Sequence, residues 1–311
     1  MSELKYLPIS FLDQASFLSL MNEEEAAWLS DLGWDYSAIR QILVSFIRKK
    51  LLPGYAATNE KELLGYTYFL VNQAKGIIGS IFAAKLSPVQ KIANNLLSLT
   101  ISSLRDNPQI TRVEAQIMPF SGADLSVIFA QHDFIHYPRF YFDLSLSEFR
   151  AAECDPGEKI TAWDSTHLHL TAEMTSMSYS NQTDALICED YRTVAGCESY
   201  LRSLVDNPGC GVFMPETSFM CMDERQTPCG FIIGCRISKG VGMIPQIAVH
   251  PDYQGRGVGN ALVQRSFEQF KVLGFHTVCL TATGDNRRAF EWYQRLGFKI
   301  RKAFGAYVWE R

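Results

Sequence analysis

Apolar positions along this chain recur at two spacings, and the switches between them mark out its elements. Runs rich in β-branched and aromatic residues predict strands at Leu4–Ile9, Gly54–Thr58, Leu63–Asn72, Ile77–Ala84, Thr111–Ile117 and through Tyr137–Leu146. Apolar residues three and four apart predict helices at Asp13–Leu20 (continuing irregularly to Leu29), Tyr36–Lys49, Val89–Leu104 and Ala123–Gln131. From about Lys159 the order repeats. A strand and two helical stretches lead to strands at Ser218–Asp223, Gly230–Ile237 and Gly242–Val249. A helix carrying Ala261, Leu262, Val263, Phe267 and Phe270 follows, then a strand at His276–Thr281 and a helix at Arg287–Leu296 capped by Gly297. The same order at an offset of roughly 164 residues predicts a duplication. It places domains at 1–150 and 158–311, joined by a linker at Ser147–Glu158 that contains Asp155-Pro156-Gly157.

Composition bounds the partners. With 311 residues there is room for two domains of about 150 each. The net charge of −4 divides evenly, with 13 basic and 15 acidic side chains in 1–150 and 16 and 18 in the rest. No basic patch stands out, which argues against a nucleic-acid partner. No apolar run approaches the ~18 residues of a membrane span, and the first twenty residues do not read as a signal peptide. A cytoplasmic location is the default expectation. The eight cysteines include no Cys-x-x-Cys, and no histidine pair has zinc-ligand spacing, so no metal is expected.

The densest chemistry lies in residues 247–260. Ile247, Ala248 and Val249 end a strand at His250-Pro251, and Gly255, Gly257 and Gly259 precede a helix. A strand, a glycine-rich turn and a helix start present free N–H groups at the positive end of a helix dipole, which suits a phosphate. A P-loop is excluded because no Lys follows the glycines. The dinucleotide fingerprint is excluded because Asn260 or Leu262 stands where its third glycine belongs. What remains is Gln/Arg-x-x-Gly-x-Gly/Ala, met by Gln254, Gly257 and Gly259. Some thirty residues on, Asn286, Ala289, Tyr293, Gly297 and Phe298 fit Asn-x-x-Ala-x-x-x-Tyr-x-x-x-Gly-Phe, the first three sharing one helix face. These two motifs, in this order and spacing, resemble the signatures of the GNAT acetyltransferase superfamily.

The resemblance implies an α/β (α+β) chain of two tandem GNAT-like domains, each a mixed, mostly antiparallel central sheet flanked by helices. It implies acetyl-CoA as cosubstrate and a primary amine as acceptor, with no metal. Ile247, Ala248 and Val249 would pair with the pantetheine arm, and the N–H of Ile247 would polarise the thioester carbonyl. Gln254, Gly255, Arg256, Gly257, Val258, Gly259 and Asn260 would hold the pyrophosphate. Tyr293 would serve as general acid to the departing thiolate, and Asn286 would bond the cofactor amide or a water, cap a helix, or both. Tyr179, Glu189, Asp190 and Tyr191, with Gln246, form a candidate acceptor site in which a cation sits between aromatic rings, or else a solvated loop. Many relatives carry a Glu at the position of Met243, so the base is open, with His250, Glu189, Asp190 and Asp223 as alternatives to a neutral amine. Overlaying the halves puts Phe129 at Tyr293, Asp133 at Gly297, and Ile92 and Asn94 at Gly257 and Gly259, which implies a first domain without a phosphate loop. That missing carboxylate also leaves room for a non-catalytic acyl-CoA sensor. Oligomeric state is left open.

Overall fold

The computed structural model describes residues 3–59, 62–120, 122–150 and 159–311. The C-terminal part of the predicted linker, 151–158, lies outside the described residues. Two compact units result, one of Met1–Arg139 with Ala303–Arg311 and one of Phe140–Lys302. The division therefore falls before the predicted boundary at 150, and the end of the chain belongs to the first unit.

In the first unit β1 (Lys5–Pro8), α1 (Gln14–Leu32), α2 (Ser37–Arg48), β2 (Gly54–Thr58), β3 (Leu63–Asn72) and β4 (Lys75–Ala83) come first. Then come α3 (Val89–Arg105), β5 (Arg112–Ile117), α4 (Ser126–Gln131) and the start of β6 (Ile135–Ser145). β1 to β4 pair antiparallel in sequence order, and β5 joins β4 in parallel after the α3 crossover. α3 buries Ile92, Leu96, Leu97, Ile101 and Leu104 on one face of this sheet, and α1 and α2 bury Phe17, Leu20, Met21, Leu43 and Ile47 on the other.

α1 is one uninterrupted helix rather than the irregular one expected. Asp13 caps it by accepting from the Ser16 N–H, and Gly33 ends it in the left-handed conformation. Its buried face runs through Glu24, a carboxyl at a core position that interrupts the apolar pattern without interrupting the helix. Glu24 accepts from the Tyr66 and Ser80 hydroxyls and the Trp28 indole. Burial nevertheless pushes its pKa upward. A carboxyl whose folded pKa is raised gives its full stability below the unfolded value and loses it as pH climbs through the folded value. The stability advantage of Glu24→Gln over the parent should therefore grow as pH rises above the ordinary glutamate value. Melting temperatures measured over that rise check this, and a constant or shrinking gap would contradict it.

In the second unit β7 (Lys159–Ala162), α5 (Leu168–Tyr179), α6 (Thr183–Ile187), α7 (Val194–Asp206), β8 (Val212–Phe213) and β9 (Phe219–Met222) precede β10 (Pro228–Ser238) and β11 (Val241–Val249). α8 (Val258–Val272), β12 (Thr277–Thr283), α9 (Arg287–Arg295) and β13 (Lys299–Glu310) complete it, with β13 running on into the residues of the first unit. β7, β9, β10 and β11 pair antiparallel in that order, and β12 joins β11 in parallel after the α8 crossover. Phe231, Ile232, Leu262, Phe267, Phe270, Val278 and Phe298 are buried in this unit.

Each unit thus has four antiparallel strands, a crossover helix and a fifth strand in parallel. The last helices correspond in detail. Asp133 and Gly297 both take positive φ, 61° and 96°, just past α4 and α9. The Phe134 N–H bonds the Phe129 carbonyl as the Phe298 N–H bonds that of Tyr293, both at 3.0 Å. The glycine loop corresponds differently from the overlay. β4 is joined to α3 by five residues, 84–88, where β11 is joined to α8 by eight, 250–257. Ile92 and Asn94 lie inside α3, and Pro88 takes the cap position that Gly257 has at α8. The overlay misplaced the loop by four residues, two because α3, at 17 residues, is longer than α8, at 15, and two because six residues, 106–111, follow it where four, 273–276, follow α8.

Candidate active site

β11 and β12 pair only at Val241–Met243 against Thr277–Cys279, so the strands separate beyond Met243. On its other side β11 stays paired with β10 as far as Val249. The His250 N–H bonds the Cys229 carbonyl on the β10 side. Along an antiparallel strand the polar groups alternate sides, which turns the N–H and C=O of Ile247 and Val249 toward the opening. The carbonyls confirm that direction. Ile247 C=O accepts from the Tyr179 hydroxyl at 2.9 Å, and Val249 C=O accepts from the Ser178 hydroxyl at 3.0 Å. The strand edge thus offers N–H groups to an extended ligand, as an added strand would require.

The loop after β11 is held in shape from both ends. His250 Nδ1 accepts from the Asp252 N–H at 3.3 Å in a 3-10 turn over Pro251–Tyr253, which gives His250 a turn role. Gln254 donates from Nε2 to the Val249 carbonyl and accepts from Arg288 at Oε1. Gly255 and Gly257 then take φ of 82° and 91°, where an L residue with a Cβ is strained. Gly257 is the cap residue of α8, so the first N–H groups of that 15-residue helix face the loop.

These elements enclose a cleft of about 370 Å³ within the second unit. Of the residues singled out from sequence, Tyr179, Ile247, Ala248, Val249, Gln254, Gly255, Gly257, Gly259, Asn260, Asn286 and Tyr293 line it. Arg256 and Val258 do not. The Arg256 guanidinium lies over the Tyr253 ring, 5.0 Å from its centre, and Val258 is buried in the core. Sequence reasoning missed Ser178, Gln182, Tyr253, Arg288, Trp292 and Arg295 among the lining residues. Arg288, Trp292 and Arg295 stand at i, i+4 and i+7, a helical stripe beside Asn286, Ala289 and Tyr293, so the signal was there to read. Trp292 donates to Asn260 Oδ1 at 2.7 Å and ties α9 to the start of α8.

Tyr293 is buried against Phe142 and Phe298, and its hydroxyl makes no hydrogen bond to the protein among the described residues. Burial first, and the charge of Asp184 second, push its pKa well above the ordinary value, so it stays protonated at neutral pH. Asn286 caps α9 by accepting from the Ala289 N–H at 3.3 Å, and donates to Asp184 at 3.2 Å.

Of the acceptor residues expected from sequence, Tyr179 lines the cleft, and Glu189, Asp190, Tyr191 and Gln246 do not. Tyr179 and Tyr191 stack directly, 4.8 Å between ring centres and 16° between planes, which leaves no gap for a cation between the rings. The Tyr191 hydroxyl donates to Gln246 Oε1 at 3.0 Å, and buried Gln246 has no partner at Nε2. Glu189 and Asp190 form a 3-10 turn outside the lining. Asp223 accepts from the N–H groups of Arg225 and Thr227 and from the Tyr253 hydroxyl; the Thr227 N–H above all lowers its pKa, making it a weak base. Met243 is buried. Among the described residues no group of three or more His, Cys, Asp or Glu is placed to hold a metal, and no helix is long and apolar enough to cross a membrane.

In the first unit the corresponding space, lined by Ile81, Ala83, Ala93, Met118, Pro119, Phe120, Ala123 and Leu125, is only about 10 Å³. Apolar side chains fill it.

The comparison with known families decides the assignment. Residues 184–298 match the acetyltransferase (GNAT) family. The chain carries a GNAT acetyltransferase domain. It is 34% identical over 90 residues to an uncharacterised N-acetyltransferase of Methanocaldococcus jannaschii, covering 27% of this chain and 40% of that protein. It is 31% identical over 87 residues to N-alpha-acetyltransferase 30 of Schizosaccharomyces pombe, covering 27% and 58%. A mycothiol acetyltransferase of Propionibacterium freudenreichii is 30% identical over 91 residues, covering 28% and 29%. The chain spans less than two thirds of the length of these relatives. In structure, a GCN5-related N-acetyltransferase from Sphaerobacter thermophilus matches 99% of this chain and 95% of its own at a TM-score of 0.71 and 16% identity. A tandem GNAT protein from the clavulanic acid biosynthesis pathway matches 99% and 98% at 0.60 and 12%. Both share the GNAT fold with this chain.

Proposed function

We propose that this protein is an N-acetyltransferase that moves an acetyl group from acetyl-CoA to a primary amine of a small molecule or peptide. One observation carries the reading. A single cleft combines a splayed strand with outward N–H groups, a glycine cradle at a helix start, and a phenol with no protein partner. The relatives matched over the second unit are named acetyltransferases, which supports it.

The residues present fit the cosubstrate. The N–H groups of Ile247 and Val249 would take the pantetheine amides, and the loop from Gln254 to Asn260 the pyrophosphate. Arg288 and Arg295 on the cleft wall add the positive charge that phosphates favour. Acetyl-CoA supplies an acyl thioester. The Ile247 N–H would donate to its carbonyl oxygen as negative charge develops there. Tyr293 would donate to the sulfur as it takes up charge, and its raised pKa makes this a donation to the developing thiolate by a neutral phenol.

No carboxylate of β11 is available to take the proton of an ammonium, so the acceptor enters as the free amine. The expected result is a kcat/KM that climbs with pH by about tenfold per unit below the pKa of the amine used, then levels off at that pKa. Two amines of different pKa should shift the plateau accordingly. A plateau fixed near one pH for both would reveal a base on the protein.

Screening primary amines with acetyl-CoA for thiol release tests the function. Tight CoA binding with no release for any amine would favour an acyl-CoA sensor.

A further inference from the structure

Asp184 lies outside both motifs and does not line the cleft, yet it is a buried carboxylate, 8% exposed, beside the catalytic helix. Its two oxygens are taken by different elements. Oδ1 accepts from the Thr283 hydroxyl at 2.7 Å, and Oδ2 accepts from the Asn286 carboxamide at 3.2 Å. Thr283 is the last residue of β12, and Asn286 is the cap of α9. Asn286 in turn receives the Ala289 N–H, so a chain of hydrogen bonds runs from α6 into the first turn of α9. Asp184 makes no ion pair among the described residues. Burying a carboxylate without a cation is costly, and two neutral donors offset only part of that cost. Two acceptor oxygens on one short side chain are what this bridge uses, and a carboxylate supplies both.

We propose that Asp184 is a positioning residue for Tyr293: its carboxylate ties the end of β12 to the cap of α9, fixing the helix face that presents the phenol. The proposal rests on the reading of Tyr293 as proton donor. Tyr293 from α9, Tyr179 from α5 and Tyr191 from the Glu189–Arg192 turn are the phenols that feel the Asp184 carboxyl. Thr283 and Asn286, its hydrogen-bond partners, are neutral.

The test is a double-mutant cycle in the full chain with Asp184→Asn and Tyr293→Phe, read as turnover and as CoA affinity. Asp184→Asn keeps the shape and an acceptor for Thr283 but sets an amide donor against the donating Asn286, breaking the tie to α9. It should lower kcat by about tenfold, an effect within the range found for residues of one hydrogen-bonded network. The CoA dissociation constant should stay within about twofold of the parent. In the Tyr293→Phe background, Asp184→Asn should have no further effect on kcat, and Asp184→Glu should restore part of the loss in the single variant. Additive losses would show that Asp184 acts independently of Tyr293, and an unchanged kcat in Asp184→Asn would remove its role.

A normal kcat in Tyr293→Phe would overturn the donor role on which the proposal rests, whereas an unchanged kcat in Asp184→Asn beside a slow Tyr293→Phe would overturn the role of Asp184 alone.

Discussion

Gly257→Glu should abolish measurable CoA binding, raising the dissociation constant by at least about 10²-fold, or ~2.7 kcal/mol. Two effects combine. At a φ of 91° a side chain costs roughly 1–2 kcal/mol in strain, and the new carboxylate would stand among the N–H groups proposed to take the pyrophosphate. Gly257→Asn separates them, because asparagine tolerates this backbone and carries no charge, so it should bind CoA more weakly than the parent but measurably. In the first unit, Lys85→Glu alters the matching connection, and CoA affinity should stay within about twofold. Calorimetry should find one CoA per chain in the parent, because the first unit replaces the loop by five residues ending in Pro88 and fills the cleft with apolar side chains. Two equivalent sites would contradict this account of the first unit.

Tyr293→Phe should lower turnover on the order of 10²-fold while leaving CoA affinity nearly unchanged. The ring keeps its contacts with Phe142 and Phe298, and the hydroxyl has no protein hydrogen bond to lose, so folding should be spared. The loss should fall equally on kcat and kcat/KM, the pattern of an interaction made only in the transition state. Phe129→Tyr, at the matching place in α4, should create no activity, since Phe129 stacks on Tyr307 at 4.0 Å in a filled core. Normal turnover in Tyr293→Phe, where chemistry limits the rate, would leave water as the proton donor.

How much of this was legible in the sequence follows from the range of the forces involved. The conformation of the glycine loop and the α9 face are local patterns, set by glycine and by a period of 3.6, and could be read directly. So could β2 and β3, whose ends were predicted to the residue because turn residues bound them on both sides. Glu24 disguised the regularity of α1, because a polar residue at a core position is stabilised by Tyr66 and Ser80 from another element. Asp184 was invisible for the same reason, its partners standing 99 and 102 positions away. The arrangement of the expected acceptor residues depends on side-chain geometry. Tyr179 and Tyr191 were predicted to receive a cation between them, but their rings satisfy each other and their hydroxyls satisfy β11. No spacing rule reports that.

Acyl transfer to nitrogen is the central claim, and following the acetyl carbon tests it most directly. Acetyl-CoA labelled with ¹³C at the carbonyl, mixed with the protein and a panel of primary amines, should show the label leaving the thioester resonance. It should appear as an amide on one of the amines, in step with free thiol, with the Gly257→Glu variant inactive. A label that stays in the thioester with every amine, while CoA remains bound in the cleft, would contradict the account and make the second unit a binding module.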